Sequence, residues 1–225
     1  MRLLLLLLGP LLGWEASGAD LPLARLLADA GGFPARHAWW AEHLLHDGLR
    51  GLIGALLLAL LLLGLWVPRW APPRRELGYG LLASVLAMGL VSLLKAFSHT
   101  SCPYELAEFG GLAPYVPHWM LAVWDGGPGR CFPSGHAAGA FGLLAAVVPW
   151  WRHRPTAGRL LLLGVLLLGL AASVAQLARG AHYLSHCLWA AWLCGLVALG
   201  LARWCHENGR PQAALQRWAA TELSA

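Results

Sequence analysis

Long apolar runs separated by short polar stretches dominate this chain. Continuous apolar segments occupy residues 3–19, 51–67, 77–97, 135–151, 159–178 and 184–203. Each approaches the ~20 residues a helix needs to cross the hydrocarbon core of a bilayer. Membrane β-strands would instead show ~10-residue segments of alternating polarity. The pattern therefore predicts an all-α fold, a polytopic membrane helix bundle of about six transmembrane helices.

Two other stretches depart from this pattern. Between Ala38 and Arg50, the residues Trp39, Trp40, Leu44, Leu45 and Leu49 recur at helical spacing. That predicts an amphipathic segment on the membrane surface, with His37, His43 and His46 read as solvated or interfacial. Residues 98–134 carry Pro103, Pro114, Pro117, Pro128 and Pro133, which exclude a continuous helix. A loop of this length is usually functional or disordered, and its aromatics favour function.

The expected organisation is a first span plus an outer segment over 1–50, a membrane core over 51–203 and a cytoplasmic tail over 204–225. The first span has two readings. Met1-Arg2 before Leu3 to Leu12, with Ser17-Gly18-Ala19 following, suits a signal peptide as well as a retained helix. Either reading leaves Asp20 outside.

Composition agrees with a membrane protein. The chain is 58% hydrophobic and 12% charged, against about 25% charged for a soluble domain. The net charge of +5 does not point to nucleic acid, because the arginines lie in short loops, where positive charge sets topology. With the N-terminus cytoplasmic, the inner segments hold Arg2, Arg69, Arg74, Arg75, Arg152, Arg154, Arg159, Arg203, Arg210 and Arg217 against Glu76, Glu207 and Glu222. The outer segments hold six basic residues against eight acids. This places both termini inside and the polar clusters outside.

Those clusters carry the candidate chemistry. Polar and ionisable groups beside membrane spans are costly and usually functional. Lys95, the chain's single lysine, ends one apolar run. A snorkelling anchor is one reading of it; a compact ammonium for an anion is the other. In Pro133-Ser134-Gly135-His136, Ser134 is placed to cap the helix that follows. Gly135 lets backbone approach a ligand, and His136 stands where it can donate a proton. His182 and His186 share a face if the helix has begun by then. A zinc pair would need a third ligand and usually an acid between them, which is lacking. The other reading makes His182 a nucleophile that forms a phosphohistidine, with His186 orienting it. Arg179 and Arg130 are candidates to neutralise phosphate charge. Glu105, Glu108 and Asp125 read as solvated loop acids.

Of five cysteines, Cys187 and Cys194 read as small core residues and Cys205 as a free thiol. Cys102 and Cys131 both lie in the outer loop, where a disulfide closing the loop beside the site is expected. Two unpaired thiols are the alternative.

These residues resemble the type-2 phosphatidic acid phosphatase superfamily, in a divergent bacterial branch. That family is marked by Lys, six residues, then Arg-Pro; by Pro-Ser-Gly-His; and by Ser-Arg, five residues, His, three residues, Asp. Pro133 to His136 match the second motif fully. Lys95 with Cys102-Pro103 matches the first except that Cys102 replaces Arg. His182 with His186 matches the third except that His186 replaces Asp, and Gln176 stands where the family has Arg. The resemblance covers roughly residues 50–203. It implies His182 as nucleophile and His136 as acid, with Lys95, Ser134 and the N–H of Gly135 on the phosphoryl oxygens. Arg179 and Arg130 would supply the missing charge, and no metal or other cofactor is needed. The implied enzyme is a lipid phosphatase of the bacterial inner membrane, acting in the bilayer on a lipid phosphate or diphosphate from the periplasmic side.

Three other readings remain open from the residues. A phosphotransferase would pass the same phosphoryl group to an alcohol. A catalytically decayed protein would hold lipid phosphate without turnover. An intramembrane serine protease using Ser134 lacks the expected Gly-x-Ser-x-Gly context.

Overall fold

The computed structural model describes residues 2–222, with side chains for residues 5–207. Of the tail read from sequence, residues 223–225 lie outside the described residues. So do the side chains of Arg2, Arg210, Arg217 and Glu222, which entered the orientation count.

Eight α-helices follow in order: α1 (Arg2–Ser17), α2 (Asp20–Leu27), α3 (Gly48–Leu65), α4 (Arg74–Ala96), α5 (Gly135–Phe141), α6 (Leu144–His153), α7 (Pro155–Ala178) and α8 (Leu184–Glu222). The described residues contain no strand, only two isolated bridges. The fold is all-α.

Among the described residues, four helices are long and apolar enough to cross a membrane: Trp40–Leu65, Arg74–Ala96, Pro155–Ala178 and Leu184–Glu207. Two of the six expected spans take another form. The first is a shorter apolar helix, Leu5–Ser17. The fourth is split at Gly142 and Leu143 into α5 and α6. At Gly142 the backbone is pressed against its neighbours. A β-carbon there would lie 2.8 Å from both Cγ of Met88 and the carbonyl oxygen of Ala138.

The segment expected on the membrane surface is continuous with α3 instead. Trp40–Asp47 is a π-helical stretch that runs straight into Gly48–Leu65. No proline lies between Trp40 and Gly48, and the Asp47-Gly48 turn signal is overridden by the apolar run that follows it.

α5 sits at the middle of the bundle, against α4, α7 and α8. Ala87 and Val91 of α4, Ala137 and Ala138 of α5, and Cys187, Ala190 and Cys194 of α8 form one buried cluster. Lipid tails are as apolar as leucine, so membrane helices associate through close packing of small side chains. Large leucines such as Leu58, Leu86 and Leu163 are left more than half exposed, as a lipid-facing surface requires. An apolar groove of about 910 Å³ runs between α1, α6, α7 and α8, from Trp14 and Leu188 at one end to Trp151 at the other.

At the Trp14 end the connecting segments form a folded cap. Ala24, Phe33, Leu106, Phe109, Ala113 and Tyr183 make a second buried cluster there. The long loop is laced shut at its base: Arg130 N–H donates to the Ser98 carbonyl (2.8 Å), Cys131 N–H to the Thr100 carbonyl (3.1 Å), and Cys102 is disulfide-bonded to Cys131. Asp125, expected to be solvated, is 5% exposed and accepts from Ser101 and Gly127. Glu108 does remain on the surface, paired with Arg25.

Candidate active site

The Pro-Ser-Gly-His segment enters α5 through a cis peptide between Phe132 and Pro133. Ser134 is the N-cap of α5, its Oγ accepting from Ala137 N–H at 3.4 Å. Its own N–H donates to the His186 carbonyl at 3.1 Å, which fastens the second polar cluster to the third. Ser134 is fully buried, so its hydroxyl is occupied as a cap.

Gly135 faces Lys95. A β-carbon on Gly135 would stand 3.9 Å from Nζ of Lys95, so the ammonium looks at bare backbone. Lys95 ends α4 and His136 begins α5. The packing of α4 on α5 brings the first two clusters to one end of the bundle.

His182 precedes α8, so it does not share a helical face with His186, which lies inside that helix. A tight turn at Gly180 (φ 65°) sets its position, with Ala181 N–H donating to the Gln176 carbonyl at 2.9 Å. His182 is 4% exposed, and its Nδ1 lies 3.6 Å from Sγ of Cys131. Nδ1 of His186 donates to the Cys131 carbonyl at 3.0 Å. A carbonyl only accepts, so this bond fixes the proton of His186 on Nδ1. The two imidazole rings stand 5.8 Å apart, inclined at 62°. Cys131 is thus the residue that both histidines address.

Burial pushes the His182 imidazole well below its ordinary range, and the charges of Lys95 and His136 add to that. A neutral imidazole is the form that can attack an electrophile.

Of the two arginine candidates, Arg179 joins the site and Arg130 stands apart. Arg179 lies within electrostatic reach of His136 and donates from Nε to the Arg36 carbonyl at 3.4 Å. Arg130 is exposed in a left-handed backbone conformation, φ 57°. Glu105 lies within electrostatic reach of Lys95 and accepts from Cys102 N–H at 2.7 Å.

Several residues at this end went unsingled by sequence reasoning. His46 was read as interfacial, yet its ring packs on His136 with centroids 4.1 Å apart. Its Nδ1 lies 2.9 Å from Oδ1 of Asp47, and Arg50 also reaches His136 electrostatically. The unbroken helix from Trp40 into α3 is what carries them there. Asp20 is 7% exposed and accepts from the N–H and the hydroxyl of Ser185. Glu15 and His118 form a further buried pair behind His186. The only sequence signal for these was an acid near the end of an apolar run.

Cys102, Cys131 and His182 place potential metal-ligand atoms within 4.8 Å of one another. The two sulfurs are bonded together, and a disulfide presents no thiolate to a metal.

Among known families, the model described as PAP2 superfamily matches residues 76–210. That stretch takes in nearly all of α4, the whole of α5, α6 and α7, α8 as far as Arg210, and every residue of the three polar clusters. No curated protein and no solved structure matches the chain.

Proposed function

The chain belongs to the PAP2 superfamily, whose members hydrolyse phosphate esters, and from that premise we propose a membrane lipid phosphatase working through a phosphohistidine. The observation that carries the reading is the facing of Lys95 and Gly135, with Nζ 3.9 Å from the vacant β-position. An ammonium and an uncovered backbone N–H beside two histidines make a receptor for a phosphoryl group.

In this mechanism, Lys95 and the N–H of Gly135 hold the phosphoryl oxygens, while Ser134 fixes the turn that presents them. Arg179 adds positive charge at the rim; Arg130 serves only if the loop brings it inward. Nε2 of His182 attacks phosphorus while Cys131 holds the ring from the other side. His136 protonates the departing alcohol or phosphate. Water then attacks the phosphohistidine, and His136 takes up its proton. His186 contributes by holding Cys131, the residue that orients His182. No step calls for a metal or other cofactor.

A lipid substrate is supported by the four long apolar helices and by the groove that starts at Trp14 and Leu188, close to the site. Arginine bias puts both termini in the cytoplasm and the site on the periplasmic side of a bacterial inner membrane. The test is phosphate release by the purified protein in detergent from a panel of lipid phosphates and diphosphates. His182→Ala and His136→Ala serve as controls; release that persists in both would end the mechanism.

A further inference from the structure

A carboxylate from the first helix sits behind the histidine pair. Oε1 of Glu15 lies 3.1 Å from Nε2 of His118 and accepts from Nε1 of Trp189 at 2.8 Å. The two side chains are 10% and 8% exposed. Oε2 of Glu15 is buried and has no hydrogen-bond partner among the described residues. His118 stacks on Phe132, centroids 3.8 Å apart and planes 11° from parallel. Its ring also meets His186 edge-on at 5.2 Å. Contacts therefore run from Glu15 through His118 to His186, then through Cys131, whose carbonyl meets His186 and whose Sγ meets His182.

A buried carboxylate with one bare oxygen is costly. Its nearby fellow, Asp20, is fully engaged: Oδ1 accepts from Trp14 and Ser185 N–H, and Oδ2 from the Ser185 hydroxyl. Asp20 does structural work at the start of α8, whereas Glu15 keeps one oxygen, Oε2, without a partner.

The proposed reaction creates a need for that charge. The Nε2 lone pair of His182 forms the N–P bond. The bond from phosphorus to the leaving oxygen breaks, and that oxygen takes its electron pair and a proton from His136. The imidazole keeps its Nδ1 proton and becomes positively charged. The groups close by are the neutral carbonyl of Cys131, His186, the cation Lys95 and Asp20, which lines a small pocket with His182 but is taken up by Trp14 and Ser185. We propose that Glu15, acting through His118, is a positioning residue that offsets the positive charge on phosphorylated His182. This rests on the phosphohistidine reading above.

The test uses the full-length protein in detergent with dioleoyl phosphatidate as substrate and orthovanadate as a mimic of the transferring phosphoryl group. Glu15→Gln keeps the shape and the Trp189 bond but removes the charge. We expect kcat about 10–100-fold lower at nearly unchanged KM, by analogy with the loss of an outer partner of a metal-bound histidine. Vanadate affinity should weaken in parallel, and Glu15→Asp should recover most of both. Wild-type kcat and vanadate affinity in Glu15→Gln would overturn the proposal, as would a loss confined to KM. If Glu15→Gln does not fold, the double variant Glu15→Gln/His118→Gln replaces the carboxylate and its imidazole partner by a pair of amides and is read in the same way. An inactive wild-type protein whose vanadate binding still weakens in Glu15→Gln would sink the hydrolase reading and leave the role of Glu15 standing. A wild-type protein that neither turns over nor binds vanadate would overturn both.

Discussion

The ring of His46 packs against that of His136, centroids 4.1 Å apart and planes inclined at 40°. Ninety positions separate them in sequence, and one lies within the helix Trp40–Asp47 while the other lies in the first turn of α5. In the proposed mechanism His136 is the proton donor, so its ring must hold one orientation.

Truncating His46 should therefore slow turnover without abolishing it. General acid catalysis contributes about 10²–10⁴-fold, and losing a packing support for the acid removes part of that. His46→Ala is expected to lower kcat roughly 10-fold with KM little changed. Asp47→Asn, which weakens the 2.9 Å contact to Nδ1 of His46, should fall between the two. Equal kcat in all three proteins would detach His46 from the site.

Gly135 offers a sharper probe of the anion receptor. A methyl group there would stand 3.9 Å from Nζ of Lys95, at ordinary contact distance, so the fold tolerates it. The same methyl occupies the space a phosphoryl oxygen needs. Gly135→Ala should keep the wild-type melting temperature and lose about 10²-fold in kcat/KM. Lys95→Met should lose at least as much, and Lys95→Arg should recover little, because a planar guanidinium does not replace a compact ammonium.

His182 supplies a pH signature that needs no substrate. Burial holds its folded-state pKa below the ordinary value of about 6.5 that the unfolded chain shows. The unfolded state therefore binds more protons once the pH drops below that value. Stability is full above about pH 6.5 and declines as the pH falls toward the depressed folded value. Thermal unfolding in detergent should show a lower melting temperature at pH 5 than at pH 7. His182→Gln should flatten that dependence; an unchanged slope would mean other groups govern it.

The apolar runs made the helical membrane architecture legible in the sequence, because a span of ~20 residues has few alternatives. The boundaries of α4, α7 and the start of α8 followed the expected segments closely. The break at Gly142 did not show, since it depends on Met88 pressing in from α4. Nor did the fate of Trp40–Asp47, whose apolar spacing suits a surface helix and a span extension equally. At the site, Lys95, His136 and His182 were legible because a family pattern marks them. His46, Arg50, Glu15 and His118 were not. They arrive from the first 50 residues and the long loop, where nothing in local spacing tells which face folds onto the histidines.

Cys131 links stability to the site. Its disulfide to Cys102 spans 29 positions, its carbonyl accepts from His186, and its Sγ lies 3.6 Å from Nδ1 of His182. Closing a loop of that length removes denatured-state entropy worth about 3–4 kcal/mol at 25 °C. Cys102→Ser/Cys131→Ser should therefore melt well below the wild type, and reductant should lower the wild-type melting temperature while leaving the double variant unmoved. Activity should fall as well, even at temperatures where the variant is folded. The tether that keeps residue 131 against Thr100 and Ser98 also keeps it against His182 and His186. A double variant that is less stable yet fully active when folded would separate the two roles, leaving the disulfide as a brace for the loop alone.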